Sequence, residues 1–134
     1  MKLEGLSIIG QSRTKPAGKP TPAINPVTCA AIGPDYFWAT TIDVDAAAQL
    51  AAKAFTEYSR WPGKRRAELL RHIAELIEAN GPAIQERAHQ ETALPLARLQ
   101  GETARTCGQL RLFAILIEEG WWQDARIDHA DPNR

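Results

Sequence analysis

Five of the chain's nine prolines fall between Pro16 and Pro34, and that clustering most constrains what the first third can become. Proline locks φ near −65° and removes a backbone donor, so a helix is excluded there and only short extended pieces and turns remain. Leu6 to Ile9 reads as a short strand. Ala23-Ile24 with Ala30-Ala31-Ile32 reads as a hairpin around Asn25-Pro26-Val27-Thr28. The expectation is a small β ribbon with turns over residues 1–42.

From Asp43 the apolar period becomes 3.6. Val44, Ala47, Ala48, Ala51 and Phe55 recur at helical spacing, with Asp43 as N-cap, and predict a helix over 43–59. Six alanines in that span suit a helix pressed closely against another element. Trp61-Pro62-Gly63 breaks the chain. A second helix follows from Lys64 to Ala79, with Leu69, Leu70, Ile73, Leu76 and Ile77 on one side and Arg66, Glu68, Arg71, Glu75 and Glu78 on the other. Asn80-Gly81-Pro82 ends it and starts a short third helix, Pro82 to Ala93, with Ile84 and Ala88 as core residues. Pro95 opens the fourth, carried to Glu119 with Gly120 at its stop. There Leu96, Leu99, Thr103, Thr106, Leu110, Phe113 and Ile117 form a seven-residue repeat that would face one straight neighbour over about 37 Å. Gly101 and Gly108 lie on another face with Arg105 between them. Either something approaches that backbone closely, or the helix kinks or splits at Gly101. The predicted architecture is mostly α, with four helices over 43–120, behind a small N-terminal β ribbon and before an extended tail over 121–134.

Charge and motif content narrow the function classes. Sixteen Lys and Arg balance sixteen Asp and Glu, which removes the attraction for polyphosphate on which sequence-independent nucleic-acid binding depends. No stretch approaches the ~20 apolar residues of a membrane span, and the first residues are too short for a signal sequence. The chain therefore reads as cytoplasmic, with neither nucleic acid nor membrane as partner. Cys29 and Cys107 lack paired spacing and read as free thiols. Cys107, among Thr103, Ala104 and Leu110, reads as a packed core residue; Cys29, in a turn with no histidine nearby in sequence, is a poor nucleophile. His72 with Glu75 and His89 with Glu91 are pairs without a third ligand, and His129 stands in a polar tail, so no metal is expected. Lys64-Arg65-Arg66, with Arg71, is the only basic cluster and sits where cations oppose the helix dipole. It is read either as an anion or partner contact or as a solvated face paired with Glu68 and Glu75. Trp121-Trp122 is either the apolar contact of a Gly-terminated helix or a partner surface. The scattered glycines form no phosphate-cradling loop between a strand and a helix, and no catalytic residue is assigned.

Taken in order, several segments resemble the beginning of an aldehyde dehydrogenase. These are Ile24-Asn25-Pro26-Val27-Thr28, then Ala39-Thr40-Thr41-Ile42-Asp43-Val44-Asp45-Ala46-Ala47, then Arg66-Ala67-Glu68-Leu69-Leu70 with Ile73-Ala74, then Glu91-Thr92-Ala93-Leu94-Pro95. A closer similarity, to the bacterial 2,5-dioxovalerate (α-ketoglutarate semialdehyde) dehydrogenases, rests on Ala97-Arg98-Leu99-Gln100-Gly101-Glu102, on Arg105-Thr106 with Gly108-Gln109-Leu110-Arg111-Leu112-Phe113-Ala114, and on Glu119-Gly120 with Ala125-Arg126-Ile127-Asp128. The resemblance implies a partial piece of the α/β aldehyde dehydrogenase fold, acting as the N-terminal scaffold segment of an NAD(P)-dependent enzyme that oxidises a semialdehyde such as 2,5-dioxopentanoate to 2-oxoglutarate. The family's nucleophile, general base and nucleotide-binding strands all follow the point matching Arg134. The chain alone is therefore expected to be inactive and to bind no cofactor, NAD or NADP belonging to the full-length relative. It implies further that Gly101, Arg105 and Gln109 border the substrate entrance, with Arg105 either attracting a carboxylate-bearing aldehyde or facing solvent. The implied partner is the remainder of the enzyme or a second copy. Cys29 and Ala93 stand where the family has glycine, and a positive φ at Cys29 would strain the turn by about 1 kcal/mol. The competing reading is a free-standing helical interaction module that binds through its Leu/Ile stripe and Trp121-Trp122.

Overall fold

The computed structural model of the protein describes residues 3–126. Gly10, at φ +62, turns the chain between β1 (Ile8–Ile9) and β2 (Ser12–Arg13), an antiparallel pair with Ile8 opposite Arg13 and Ile9 opposite Ser12. This first hairpin was not expected. Its signal was the glycine opening a two-residue loop. The strand expected over Leu6 to Ile9 is confined to Ile8 and Ile9. The expected hairpin forms from β3 (Thr21–Ile24) and β4 (Ala31–Tyr36), with a register irregularity between Pro22 and Ala23. The Asn25 carboxamide builds its turn, its Oδ1 accepting from the amides of Val27 at 2.9 Å and Thr28 at 3.2 Å.

Four helices follow: α1 (Thr41–Tyr58), α2 (Gly63–Ala79), α3 (Gly81–Thr92) and α4 (Leu96–Glu119). The N-cap of α1 is Thr40, not Asp43. Asp43 occupies the third helical position of a reciprocal capping box: Thr40 Oγ1 accepts from the Asp43 amide at 3.2 Å, and the Asp43 carboxylate accepts from the Thr40 amide at 2.8 Å. Those hydrogen bonds hold the Asp43 carboxyl below the usual carboxylate range. At the other end of the helical region, α4 runs unbroken through Gly101 and stops at Gly120, whose left-handed φ of +71 ends it as expected.

The core is a seam of small residues between α2 and α4. Ala67 and Ala74 of α2 and Cys107 and Ala114 of α4 are buried, each pair seven residues apart, the spacing that keeps two helices in register. The helices run antiparallel, as contacts near Gly63 and Ile117 at one end and Glu78 and Arg111 at the other require. Small side chains permit this closeness. A Cβ on Gly63 would lie 2.5 Å from the Ile117 carbonyl oxygen, so the start of α2 lies almost against the α4 backbone. Arg111 makes a bidentate pair with Glu78, both bonds at 2.7 Å, and Arg71 pairs with Glu118. Each arginine holds its glutamate below the usual range, and Glu78 raises Arg111.

Three packing expectations are corrected. The seam on α4 is rotated from the expected stripe, so Leu96 and Phe113 are 42% and 50% exposed, and Thr106 is exposed too. On α2, Leu69, Ile73 and Leu76 turn away from α4 for the same reason: the alanines, not the leucines, permit the short interhelical distance. The alanine-rich α1 is not pressed closely along its length against any element among the described residues, touching only the first hairpin and the start of α2; it buries no residue and leaves Val44, Leu50 and Phe55 exposed. Between ribbon and helices, Arg87 of α3 is the main strap, donating to the Gly33 carbonyl and to the Tyr36 hydroxyl at 3.3 Å. A folded monomer of 14.8 kDa exposes about 7,000 Å², whereas this chain exposes 10449 Å².

Candidate functional site

Helical spacing puts Arg105, Gln109 and Leu112 on the side of α4 opposite Cys107 and Ala114, with Gly101 and Gly108 on its flank. Gly101, Arg105 and Gln109, singled out from the sequence, are thus brought to one face, and all three are exposed. The close approach expected at Gly101 and Gly108 is absent among the described residues, because a Cβ on either meets open space. Close approach occurs at Gly63 instead. Among the described residues Arg105 reaches only Glu102 on its own helix, at 3.3 Å, with 72% of its side chain exposed. Such an exposed pair contributes little, and most of the guanidinium's donors face solvent. Toward the end of α4 the outward surface becomes apolar, with Leu112 and Ile115 about half exposed.

Trp121 and Trp122 leave Gly120 in a short 3-10 turn, Trp121–Gln123, and are 69% and 49% exposed. Trp121 Nε1 donates to Glu119 Oε2 at 3.1 Å. The tail expected to be extended thus begins with a turn, and the remainder of 127–134, including His129, lies outside the described residues.

The other sequence candidates are distributed without assembling a reaction centre. Cys107 is buried with its Sγ 3.6 Å from the Ala74 carbonyl oxygen, as a packed thiol should be, and Cys29 is exposed. His72 Nδ1 lies 3.4 Å from Glu75, while His89 Nδ1 faces the Leu94 carbonyl at 2.7 Å. Among the described residues no three metal-ligating side chains gather. The basic run does not pair with Glu68 and Glu75 as its solvated-face reading supposed. Arg71 goes to Glu118, Arg65 to Glu57, and Arg66 Nε donates to the Trp61 carbonyl. Sequence reasoning missed Arg87, which pairs locally with Glu91 but whose ribbon partners stand more than fifty residues away and leave no signal near it in the sequence. It read Gly63 only as part of a break.

The pattern of the aldehyde dehydrogenase family matches residues 13–131. The chain belongs to the aldehyde dehydrogenase family. Over 135 aligned residues, all of this chain, it is 43% identical to alpha-ketoglutaric semialdehyde dehydrogenase 2 of Azospirillum brasilense, covering 26% of that protein. Over 96 residues, 72% of the chain, it is 53% identical to the alpha-ketoglutaric semialdehyde dehydrogenase of Acinetobacter baylyi, covering 18% of it. Thus this aldehyde dehydrogenase chain spans between about a fifth and a quarter of the length of these curated relatives. An NAD-dependent benzaldehyde dehydrogenase from Corynebacterium glutamicum shares the fold, with a TM-score of 0.77 and 24% identity over 84% of this chain and 25% of its own.

A nicotinamide cofactor does not fit the residues this aldehyde dehydrogenase chain presents. Among the described residues both strand pairs are antiparallel. The strand leading directly into a helix, β4 into α1, does so through Phe37-Trp38-Ala39-Thr40, without glycine, onto a helix start already closed by its capping box. A dinucleotide cradle needs glycine at that turn and free amides at the helix start. No reaction step is assigned to these residues.

Proposed function

We propose that the chain is the N-terminal scaffold segment of an NAD(P)-dependent semialdehyde dehydrogenase. The proposed parent reaction oxidises 2,5-dioxopentanoate to 2-oxoglutarate. The segment itself is inactive, and the α4 face with Gly101, Arg105 and Gln109 borders the substrate entrance. The observation that carries this reading is the exposed apolar surface. The chain exposes some 3,500 Å² more total surface than a folded monomer of its mass, and large apolar side chains stand exposed on every part of it: Ile8, Ile24 and Trp38 of the ribbon region, Val44 and Phe55 of α1, Leu69 and Leu76 of α2, Leu112 and Phe113 of α4, and Trp121. A standard interface covers about 800 Å² per partner, so one binding patch reaches only some of these separate elements. A partner that wraps several elements covers them, and the rest of the enzyme is such a partner. The helical-module reading needs a single patch and is the weaker for that reason.

The test supplies the remainder of the enzyme in trans, as a co-expressed polypeptide matching the relatives beyond this segment. The chain alone should give no nicotinamide reduction above a blank, and the complex should oxidise 2,5-dioxopentanoate. In the complex Arg105→Ala should weaken that substrate by about 1.5–3 kcal/mol, the range for a hydrogen bond to a charged group. An uncharged aldehyde of equal length should be left nearly untouched. Turnover by the isolated chain that survives combined Cys29→Ser and Cys107→Ser would contradict the inactive scaffold. Failure to associate with the remainder would favour the interaction module.

A further inference from the structure

Between Lys53 and Arg66 the sequence places Lys53, Arg60, Lys64, Arg65 and Arg66 against the single carboxylate Glu57, in a chain of net charge zero. The fold gathers these around the corner where α1 hands over to α2. There an open cleft of about 520 Å³ is lined by Lys53, Thr56, Glu57, Arg60, Trp61 and Arg65. Its floor is organised by short contacts. Trp61 Nε1 donates to Glu57 Oε1 at 3.2 Å, and the Arg65 guanidinium stacks 3.6 Å above the Trp61 ring. Tyr58 packs against the same indole with centroids 5.3 Å apart. Arg65 is thereby held in place, with Glu57 only 3.8 Å away, while Lys53 and Arg60 make no ion pair among the described residues. The first turn of α2 adds to the positive field, since it carries neither a side-chain cap nor an acidic residue.

We propose that this corner binds a small multivalent oxyanion, a di- or polyphosphate or a polycarboxylate, between Lys53, Arg60 and Arg65. Lys53 and Arg60 lie seven residues apart and project toward the same side of the corner, so two separated anionic groups are matched better than one. Arg65 supplies a fixed planar fork to one of them. With Arg65 stacked on one side of Trp61 and Tyr58 packed beside it, the indole is committed to holding the corner, which favours recognition of charge over stacking of a base. The site stands apart from the α4 face and does not depend on the scaffold reading above.

Calorimetric titration of the 134-residue chain at low ionic strength, with pyrophosphate and citrate in separate runs, tests this. Saturable one-site binding of either anion, weakening as salt is added, is the expected result, and the tighter of the two identifies the source chemistry. Lys53→Gln with Arg60→Gln should weaken it about tenfold. Lys15→Gln with Lys19→Gln removes the same charge from the proline-rich segment and should leave it unchanged. Glu57→Gln keeps an acceptor for Trp61 while removing the carboxylate and should tighten binding. Three results would overturn the site: no saturable binding, equal losses in the two double variants, or binding of a polyglutamate peptide with neither small anion bound.

Discussion

Cys29 and Ala93 hold left-handed backbone at φ +57 and +58, where a Cβ crowds the following carbonyl. The two positions were legible in advance only through the family resemblance, as sites where glycine is usual; composition and periodicity carry no trace of them. Replacing either with glycine removes the clash but adds freedom to the unfolded chain, and the first effect is the larger at a positive φ. Cys29→Gly and Ala93→Gly should therefore each stabilise by about 0.5–1 kcal/mol. Cys29→Ala should give no gain. Urea unfolding monitored by far-ultraviolet circular dichroism distinguishes these outcomes, and a stabilising Cys29→Ala would show that the thiol, not the backbone, carries the cost.

At the scale of elements, helix existence and approximate bounds followed from prolines, glycines and the 3.6 period. The face each helix buries did not. Periodicity ranks leucine and isoleucine as core, yet the α2–α4 seam is made by Ala67, Ala74, Cys107 and Ala114, because backbone proximity at Gly63 leaves no room for larger groups. That seam is flanked by charge pairs whose pH behaviour has a definite sign. Glu78 and Glu118 are held below the ordinary carboxylate range by Arg111 and Arg71. Their stabilisation is therefore present above the unfolded glutamate value of about 4.3 and is lost as pH falls through their lowered folded values. Acid titration of helicity should show α2 and α4 loosening in that window, earlier at high salt. Combined Glu78→Gln and Glu118→Gln should flatten the acid limb. An unchanged limb would place the acid-sensitive groups elsewhere, with the Asp43 capping box as the next to examine.

For the whole molecule, the mostly helical architecture with its N-terminal hairpins was legible, and so was the family. The spatial relation of α1 to the rest was not, since an alanine-rich helix reads the same whether its neighbour is present or absent. Among the described residues α1 meets β1 and, at its last turn, the start of α2 through Glu57 and Arg65. The isolated chain should accordingly bind a hydrophobic dye and associate with rising concentration, because its apolar surface is distributed over elements that cannot all cover one another. Sedimentation velocity over a concentration series, run with and without dye, checks both. A monodisperse monomer that leaves the dye dark would contradict the exposed surface described above.

The α2–α4 seam also dictates an order in time. Its ion pairs join residues 33 and 47 positions apart, with only α3 and two short turns between the helices, and closing such a span costs only about 0.6 kcal/mol more for each doubling of length. As the chain is synthesised, this helical hairpin can lock once α4 has emerged, without waiting for α1 or the ribbon to find a neighbour. The early-formed unit then holds Leu69, Leu76 and Leu112 open to water from the moment it locks, so the hairpin is the first part of the chain able to stick to another apolar surface.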